Sequence, residues 1–374
     1  MAPPTLRRQY NTALLWAYGA LAALGLWFMR IYIVFNGVPI GFDKMIETNL
    51  LPNGIPIKKH FTGIMPLDEG LSFLNAAFIY GPSRWNEAFY WQQLHFLLQV
   101  TALVVVMNVE ACRERNRSSW LKFTALWAGI YQNIGSAVVM PLWWIPLHRI
   151  SAERSYFASG RAVPLPYARV MLPATILIYL VPTVALFIPG HDLITLQNIL
   201  AFWQLAPVLV NVPLWLAAPF VSSTPSAASK SKNADLPHLK LLYATVFLVS
   251  VASQWYTIYG ISTSTNPSVS FASVFLPSTS RWRDSMDAGV MYIFQWDWII
   301  DASVYILPSW IAIYDVQRLL HGAASSVQLF QGAVVITLLT IIGGPGAAIA
   351  AVWAWREEKL ALVESRLGSG KKGI

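Results

Sequence analysis

Two acidic side chains, Asp297 and Asp301, lie near the centre of residues 286–314, an apolar stretch long enough to cross a bilayer. Because they are four positions apart, both project from one face of a helix. Ionisable groups at such depth are costly and are usually kept for a function. Two carboxyls in one apolar site cannot both ionise cheaply, so we expect one to retain its proton. A retained proton in an apolar pocket is what a Brønsted acid catalyst requires.

Aromatic side chains surround this acid pair in the sequence. Aromatic faces attract cations by roughly 0.5–2 kcal/mol each, so they could shelter a carbocation that the acid generates. Two alternatives remain open: a structural ion pair between the acids and Arg30, and aromatic rings that simply face lipid. The candidate substrate-binding aromatics are Tyr292, Phe294, Trp296 and Trp298.

Three more acids are candidates. Asp68 and Glu69 follow Pro66, which is typical of a helix start, although a second acid there adds little to capping and would suit a second acid site. Glu110 lies one turn deeper than a run of arginines that is typical of a solvated helix end.

His95 and Gln99 share a helix face at a spacing of four. Hydrogen bonding between helices is the simpler interpretation, and a polar wall that orients a substrate head group is the functional one. His95 has no second histidine at a ligand spacing, which argues against a histidine-based metal site. We expect no metal site and no cofactor.

The composition excludes an ordinary soluble fold. Of 374 residues, 56 % are hydrophobic and only 12 % are charged, too few to coat the exterior. The net charge of +8 comes from basic residues at the ends of apolar runs, which indicates membrane lipid rather than nucleic acid as the neighbour. The single Cys112 cannot form an internal disulfide or a cysteine-based metal site.

The remaining fold class is an all-α, polytopic transmembrane helix bundle with eight or nine spans in one domain, residues 1–374. Residues 66–80 are the ninth candidate, a shorter apolar stretch that could form a re-entrant or tilted helix. We expect a flexible loop at 222–236, a lid at 37–65, and a multi-pass location in the endoplasmic reticulum. The eight longer candidate spans are 12–35, 89–107, 121–147, 167–188, 193–220, 239–260, 286–314 and 327–355.

The chain resembles the integral-membrane terpene cyclases of fungal meroterpenoid pathways, in particular the ascofuranone- and macrophorin-type cyclases. It is longer than the seven-span pyripyropene-type members. The resemblance lies in residues 66–74, in Val109-Glu110 with the following Arg113 and Asn116, in residues 135–142, and in residues 294–297.

This resemblance implies cyclisation of a farnesyl-type chain carried on an aromatic or polyketide-derived head group. It also implies initiation by protonation of a terminal epoxide or alkene, without metal, and pathway enzymes such as an epoxidase or a prenyltransferase as partners. Carried onto this sequence, the acidic candidates are Asp297, Glu110 and Asp68, whereas Glu69 and Asp301 have no match in the pattern.

Two other classes stay open. A Mg²⁺-dependent intramembrane prenyltransferase or class I terpene synthase would use acid-rich helices, and Asp297 and Asp301 have the spacing of one such motif. That chemistry, however, favours a shallower site where hydrated Mg²⁺ can enter. A proton-coupled transporter of small molecules would also keep acids within the membrane.

Overall fold

The computed structural model describes residues 7–221 and 233–369. Within these ranges the chain forms helices joined by turns and loops, and two isolated bridges are its extended pairings. The helices are α1 (Asn11–Phe35), α2 (Phe42–Thr48), α3 (Met65–Phe78), α4 (Glu87–Cys112), α5 (Thr124–Ile134), α6 (Ser136–Ile150), α7 (Leu165–Phe187), α8 (Leu193–Phe220), α9 (Leu236–Thr263), α10 (Phe271–Phe275), α11 (Met286–His321), α12 (Ser326–Gly343) and α13 (Pro345–Ser369).

Seven of the described helices, namely α1, α4, α7, α8, α9, α11 and α12, are long and apolar enough to cross a membrane. The prediction of an all-α, polytopic helix bundle is therefore confirmed. Helix α4 lies at its centre, since 94 % of its most apolar window is buried, and α9, α11 and α13 pack around it.

Two stretches predicted as single spans are divided. Residues 121–147 contain α5 and α6, which separate at Gly135, a residue with a φ of 111°. Residues 327–355 contain α12 and part of α13, which separate at Gly344 with a φ of 81°. Side chains rarely adopt such positive φ values, so glycine permits both breaks.

The short stretch 66–80 forms α3, whose 14 residues reach only about 21 Å and cannot span a bilayer. Residues 37–65, predicted as a lid, contain α2 and bury Phe42, Met45 and Leu51 in the same apolar cluster as the first part of α4. Residues 222–232 of the predicted flexible loop lie outside the described residues, whereas Asp235 at its end is buried.

Two of the long helices contain a π-helical turn, Trp27–Ile31 in α1 and Thr175–Leu180 in α7. The turn in α7 lies between Pro173 and Pro182, and a proline cannot make the regular hydrogen bond of the helix. π turns are often found at functional sites because they push side chains out of the regular spiral. Both turns contribute side chains to the cavity described next.

Candidate active site

A cavity of about 480 Å³ lies among α1, α2, α3, α4, α7, α8, α11 and the α5–α6 junction. Its volume is within the range of small-molecule sites. The wall is mainly apolar, and the π turns supply Met29, Arg30 and Tyr179 to it. The aromatic side chains on the wall are Phe42, Phe73, Phe78, Phe96, Tyr131, Tyr179, Trp203 and Phe294.

Asp297 lies on the cavity wall, facing the first residues of α6. Its Oδ1 accepts a hydrogen bond from the Ala137 amide at 2.6 Å and lies 3.1 Å from the Ser136 hydroxyl. The break at Gly135 makes this possible, because it exposes the free amides and the positive dipole end of α6 to the carboxyl. The Oδ2 of Asp297 accepts no hydrogen bond from the described residues.

Asp301 lies one turn further along α11, behind the cavity wall, and is fully buried. Its Oδ2 is 2.5 Å from the same Ser136 hydroxyl. Its Oδ1 is buried without a hydrogen-bond partner among the described residues. The structure therefore brings the two predicted acids together through a serine on another helix, with Asp297 exposed to the cavity and Asp301 enclosed.

Arg30 lies on the same wall but is not ion-paired with the acids in the described structure. Its guanidinium donates to the main-chain oxygens of Met29 at 3.0 Å and Asn133 at 3.3 Å. The structural ion pair considered from the sequence is therefore absent from this arrangement.

One end of the cavity opens to the outside of the bundle. Among its lining residues, Val34 is 74 % exposed and Phe73 is 51 % exposed, and Asp43 and Asn133 are also exposed. The mouth therefore combines apolar surface, beside the end of α1 and the middle of α3, with polar side chains.

Asp68 does not line the cavity. Its carboxylate accepts hydrogen bonds from the Thr62 amide at 2.8 Å, the Thr62 hydroxyl at 2.7 Å and the Gly63 amide at 3.1 Å, which close the turn before α3. Burial raises the pKa of Asp68, but these hydrogen bonds outweigh it and bring the pKa to about 2. Asp68 is therefore ionised at neutral pH. The adjacent Glu69 is exposed and also lies off the cavity.

Glu110 lies at the far end of α4, in a buried ionic cluster. It accepts from Arg356 at 2.7 Å and from the Trp353 indole at 3.1 Å, and Arg113 lies 3.0 Å away. Arg113 also pairs with Glu357. The structure thus places Glu110 in a charged network rather than on the cavity wall.

His95 and Gln99 join helices. The Nε2 of His95 lies 2.6 Å from the Gln254 side-chain oxygen, and Gln99 donates to the Ser250 carbonyl at 2.9 Å while accepting from the Gly346 amide at 2.8 Å. Neither side chain lines the cavity.

Of the four predicted aromatics, only Phe294 lines the cavity. Trp296 stacks on Phe28 with ring centroids 3.8 Å apart. Trp298 packs edge-on against His95 at 4.7 Å, and Tyr292 packs against Trp282, also at 4.7 Å. Nearness to Asp297 along the helix therefore did not predict which rings face the cavity.

Sequence reasoning missed Ser136 as a partner of the acids, although residues 135–142 were singled out. It also missed Tyr131, Tyr179 and Trp203 on the wall. The glycine before Ser136 was the available signal, because a glycine inside a long apolar stretch can mark the start of a new helix. In the described residues, no three His, Cys, Asp or Glu side chains are grouped as a metal-ion site would require.

Comparison with known proteins assigns the family. The sequence model of the CtvD domain matches residues 13–361. The chain belongs to the CtvD domain family. No solved structure matches it.

Its relatives include the terpene cyclase DEP1 of Alternaria brassicicola, 27 % identical over 91 % of this chain and 97 % of DEP1. The terpene cyclase ascI of Acremonium egyptiacum is 24 % identical over 94 % of this chain and 93 % of its own length. The FAD-dependent monooxygenase verC1 of Penicillium polonicum is 28 % identical over 71 % of this chain, but the match covers only 32 % of that larger protein. These relatives confirm the predicted resemblance to fungal terpene cyclases and the prediction that the chain is an enzyme of that class.

Proposed function

We propose that this CtvD-family enzyme cyclises a farnesylated aromatic or polyketide-derived precursor within the membrane, without a metal ion, by protonating the far end of the prenyl chain. The observation that carries the proposal is Asp297: a carboxyl with one oxygen held by the start of α6 and the other free, on the wall of an apolar cavity.

Asp297 is the proposed acid. Its O–H bond breaks, the proton goes to the epoxide oxygen or to the terminal alkene carbon, and the electron pair stays on the carboxylate. The tertiary cation that results is attacked by the next alkene, and successive attacks close the rings. The last cation loses a proton to the Asp297 carboxylate, which restores the acid and gives a product isomeric with the substrate.

The wall suits a cation that must survive several ring closures. Eight aromatic side chains line it, and their faces attract cations. Because the wall is mainly apolar, it also holds little water that could quench the cation early. Phe78, Phe294 and Trp203 pack together there, with ring centroids of Phe78 4.7 Å from Phe294 and 5.5 Å from Trp203.

The mouth suits the head group. Its exposed polar lining residues, Asp43 and Asn133, offer donors and acceptors, and the prenyl chain would enter the apolar interior. A multi-pass location in the endoplasmic reticulum and an epoxidase as partner belong to the same proposal. The relative verC1 supports a partnership with an oxidising enzyme, because this protein is named a monooxygenase and contains a segment similar to this chain.

Expression in a host that is fed a farnesylated phenol, or its terminal epoxide, tests the proposal. We expect a product of unchanged mass and altered retention from the intact enzyme, and none from Asp297→Asn at equal protein level. Asp287→Asn is the matched control, because Asp287 lies in the first turn of the same helix and accepts from Asn86 at 2.6 Å, away from the cavity.

Other outcomes would favour the other classes. A gain in mass would indicate prenyl transfer, and loss of activity in EDTA with recovery in Mg²⁺ would indicate metal-dependent chemistry. Movement of an unchanged compound across liposomes would indicate transport. Full cyclisation by Asp297→Asn would falsify the assignment of the acid.

A further inference from the structure

The Ser136 hydroxyl lies between two carboxyls that come from consecutive turns of α11. Its oxygen is 3.1 Å from Asp297 Oδ1 and 2.5 Å from Asp301 Oδ2. A serine hydroxyl carries a single hydrogen and can donate to only one acceptor at a time. Both contacts are hydrogen bonds only if one of the carboxyls supplies a second hydrogen.

The surroundings of the two carboxyls decide which of them supplies it. Asp297 Oδ1 already accepts the Ala137 amide, and the N-terminus of α6 favours negative charge at that point. Asp301 has neither an amide donor nor an ion-pair partner among the described residues, and it is fully buried. The second hydrogen therefore lies on Asp301, whereas Asp297 is better placed to carry negative charge once the proton on its other oxygen has left.

Building on the proposed function, we infer that Ser136 is a positioning residue that transmits hydrogen-bond donation from a protonated Asp301 to Asp297 as Asp297 gives its proton to the substrate. The Asp301 O–H donates to Ser136, and the Ser136 O–H donates to Asp297 Oδ1. No bond of Asp301 or Ser136 breaks, and the electron pair left by the departing proton stays on Asp297.

This arrangement does two things for a cation cyclisation. It stabilises the Asp297 carboxylate while that charge forms, which lowers the barrier to protonation. It also occupies one oxygen of the carboxylate with two donors, the Ser136 hydroxyl and the Ala137 amide, which makes that oxygen a poorer nucleophile toward the nearby cation.

Infrared spectroscopy of the purified full-length protein tests the hydrogen bond between Asp301 and Ser136 without substrate turnover. We expect the carbonyl band of a protonated Asp301 to be lost in Asp301→Asn, leaving the band of protonated Asp297, and to move to higher frequency in Ser136→Ala, because the acid then loses its acceptor. Ser309→Ala is the control. Ser309 is a buried serine on α11, the helix of the two acids, and it donates to the Tyr305 carbonyl at 2.7 Å, so the band should stay in place. A carbonyl spectrum that is unchanged in both Asp301→Asn and Ser136→Ala overturns the inference.

Enzyme kinetics distinguish hydrogen-bond transmission through the Ser136 hydroxyl from a purely structural role of this side chain. In Ser136→Ala we expect kcat to fall about 10²-fold, as when one donor to a developing anion is removed, with KM unchanged. The alkaline limb of the kcat profile should move to higher pH, because an Asp297 carboxylate with fewer donors holds its proton more firmly. Ser136→Thr keeps a hydroxyl and should recover most of kcat.

A loss of kcat without a shifted limb, or an equal loss in Ser136→Thr, contradicts transmission through the hydroxyl. Failure of the wild-type enzyme to cyclise any substrate would count against the proposed function alone, since the infrared result decides the link between Ser136 and Asp301 by itself.

Discussion

At the scale of single residues, the cavity wall depends on side chains that are fixed by their own hydrogen bonds. The Trp203 indole donates to the Thr183 hydroxyl at 2.9 Å, and that hydroxyl donates to the Tyr179 carbonyl at 2.6 Å. These bonds join α8 to the π turn of α7 and hold the Trp203 ring against the cavity.

The face of Trp203 should therefore influence how far cyclisation proceeds. We expect Trp203→Leu to release about five times more incompletely cyclised product than Trp203→Phe, because a lost cation–π contact is worth about 1 kcal/mol. Product analysis by mass and retention measures the ratio. Equal product ratios in the two variants would show that the ring acts through its volume alone.

The acid pair was predictable from sequence, whereas most of its surroundings were not. Asp297 and Asp301 share a face because they are four apart on one helix, a purely local property. Ser136 lies 161 positions from Asp297, and only the packing of α6 on α11 brings it near. His95 and Gln99 were ambiguous for the same reason, since a polar face can meet either a cavity or another helix.

At the scale of helices, the start of α6 depends on its close packing against α1. A Cβ at Gly25 would lie 2.8 Å from the Ala137 carbonyl oxygen, so glycine is needed at this crossing. The contact fixes Ala137, whose amide holds Asp297. Hydropathy did not show the break before α6, because the helices on both sides of Gly135 are predominantly apolar. The Gly343-Gly344-Pro345 run at the end of α12 was a clearer signal.

Gly25→Ala should push α1 and α6 apart and displace the Ala137 amide from Asp297. We expect a destabilisation of about 1–3 kcal/mol, the usual cost of overpacking, together with a lower kcat. Thermal unfolding in detergent and steady-state kinetics measure the two effects. Gly19→Ala is the matched control on the same helix, since a Cβ there meets nothing within 4 Å, and a comparable loss in that variant would contradict the explanation.

At the scale of the whole molecule, α4 connects two unlike regions. Its Phe96 lines the cavity, and its Glu110 lies about 20 Å further along, in the cluster that links α4 to α13. The same cluster extends through Glu357 to Arg161 and on to Asp235, at the start of α9. The cavity and the ionic cluster therefore lie at different positions along α4, so a change in one need not disturb the other.

Glu110→Gln should therefore affect folding rather than catalysis. Leaving Arg356 and Arg113 without this carboxylate is expected to cost about 3–5 kcal/mol, as for other broken buried pairs. The yield of folded protein and its Tm should fall, while kcat per folded molecule stays at the wild-type value. A normal Tm with abolished turnover would instead restore Glu110 as a catalytic acid.

The exposed Val34 and Phe73 at the cavity mouth have a consequence for how the enzyme must be assayed. Under the proposed function, a prenylated substrate enters past these two apolar side chains from the surrounding lipid, so its mole fraction in the bilayer sets the rate of capture. Adding detergent or inert lipid would then slow the reaction, although the total concentrations of enzyme and substrate stay unchanged.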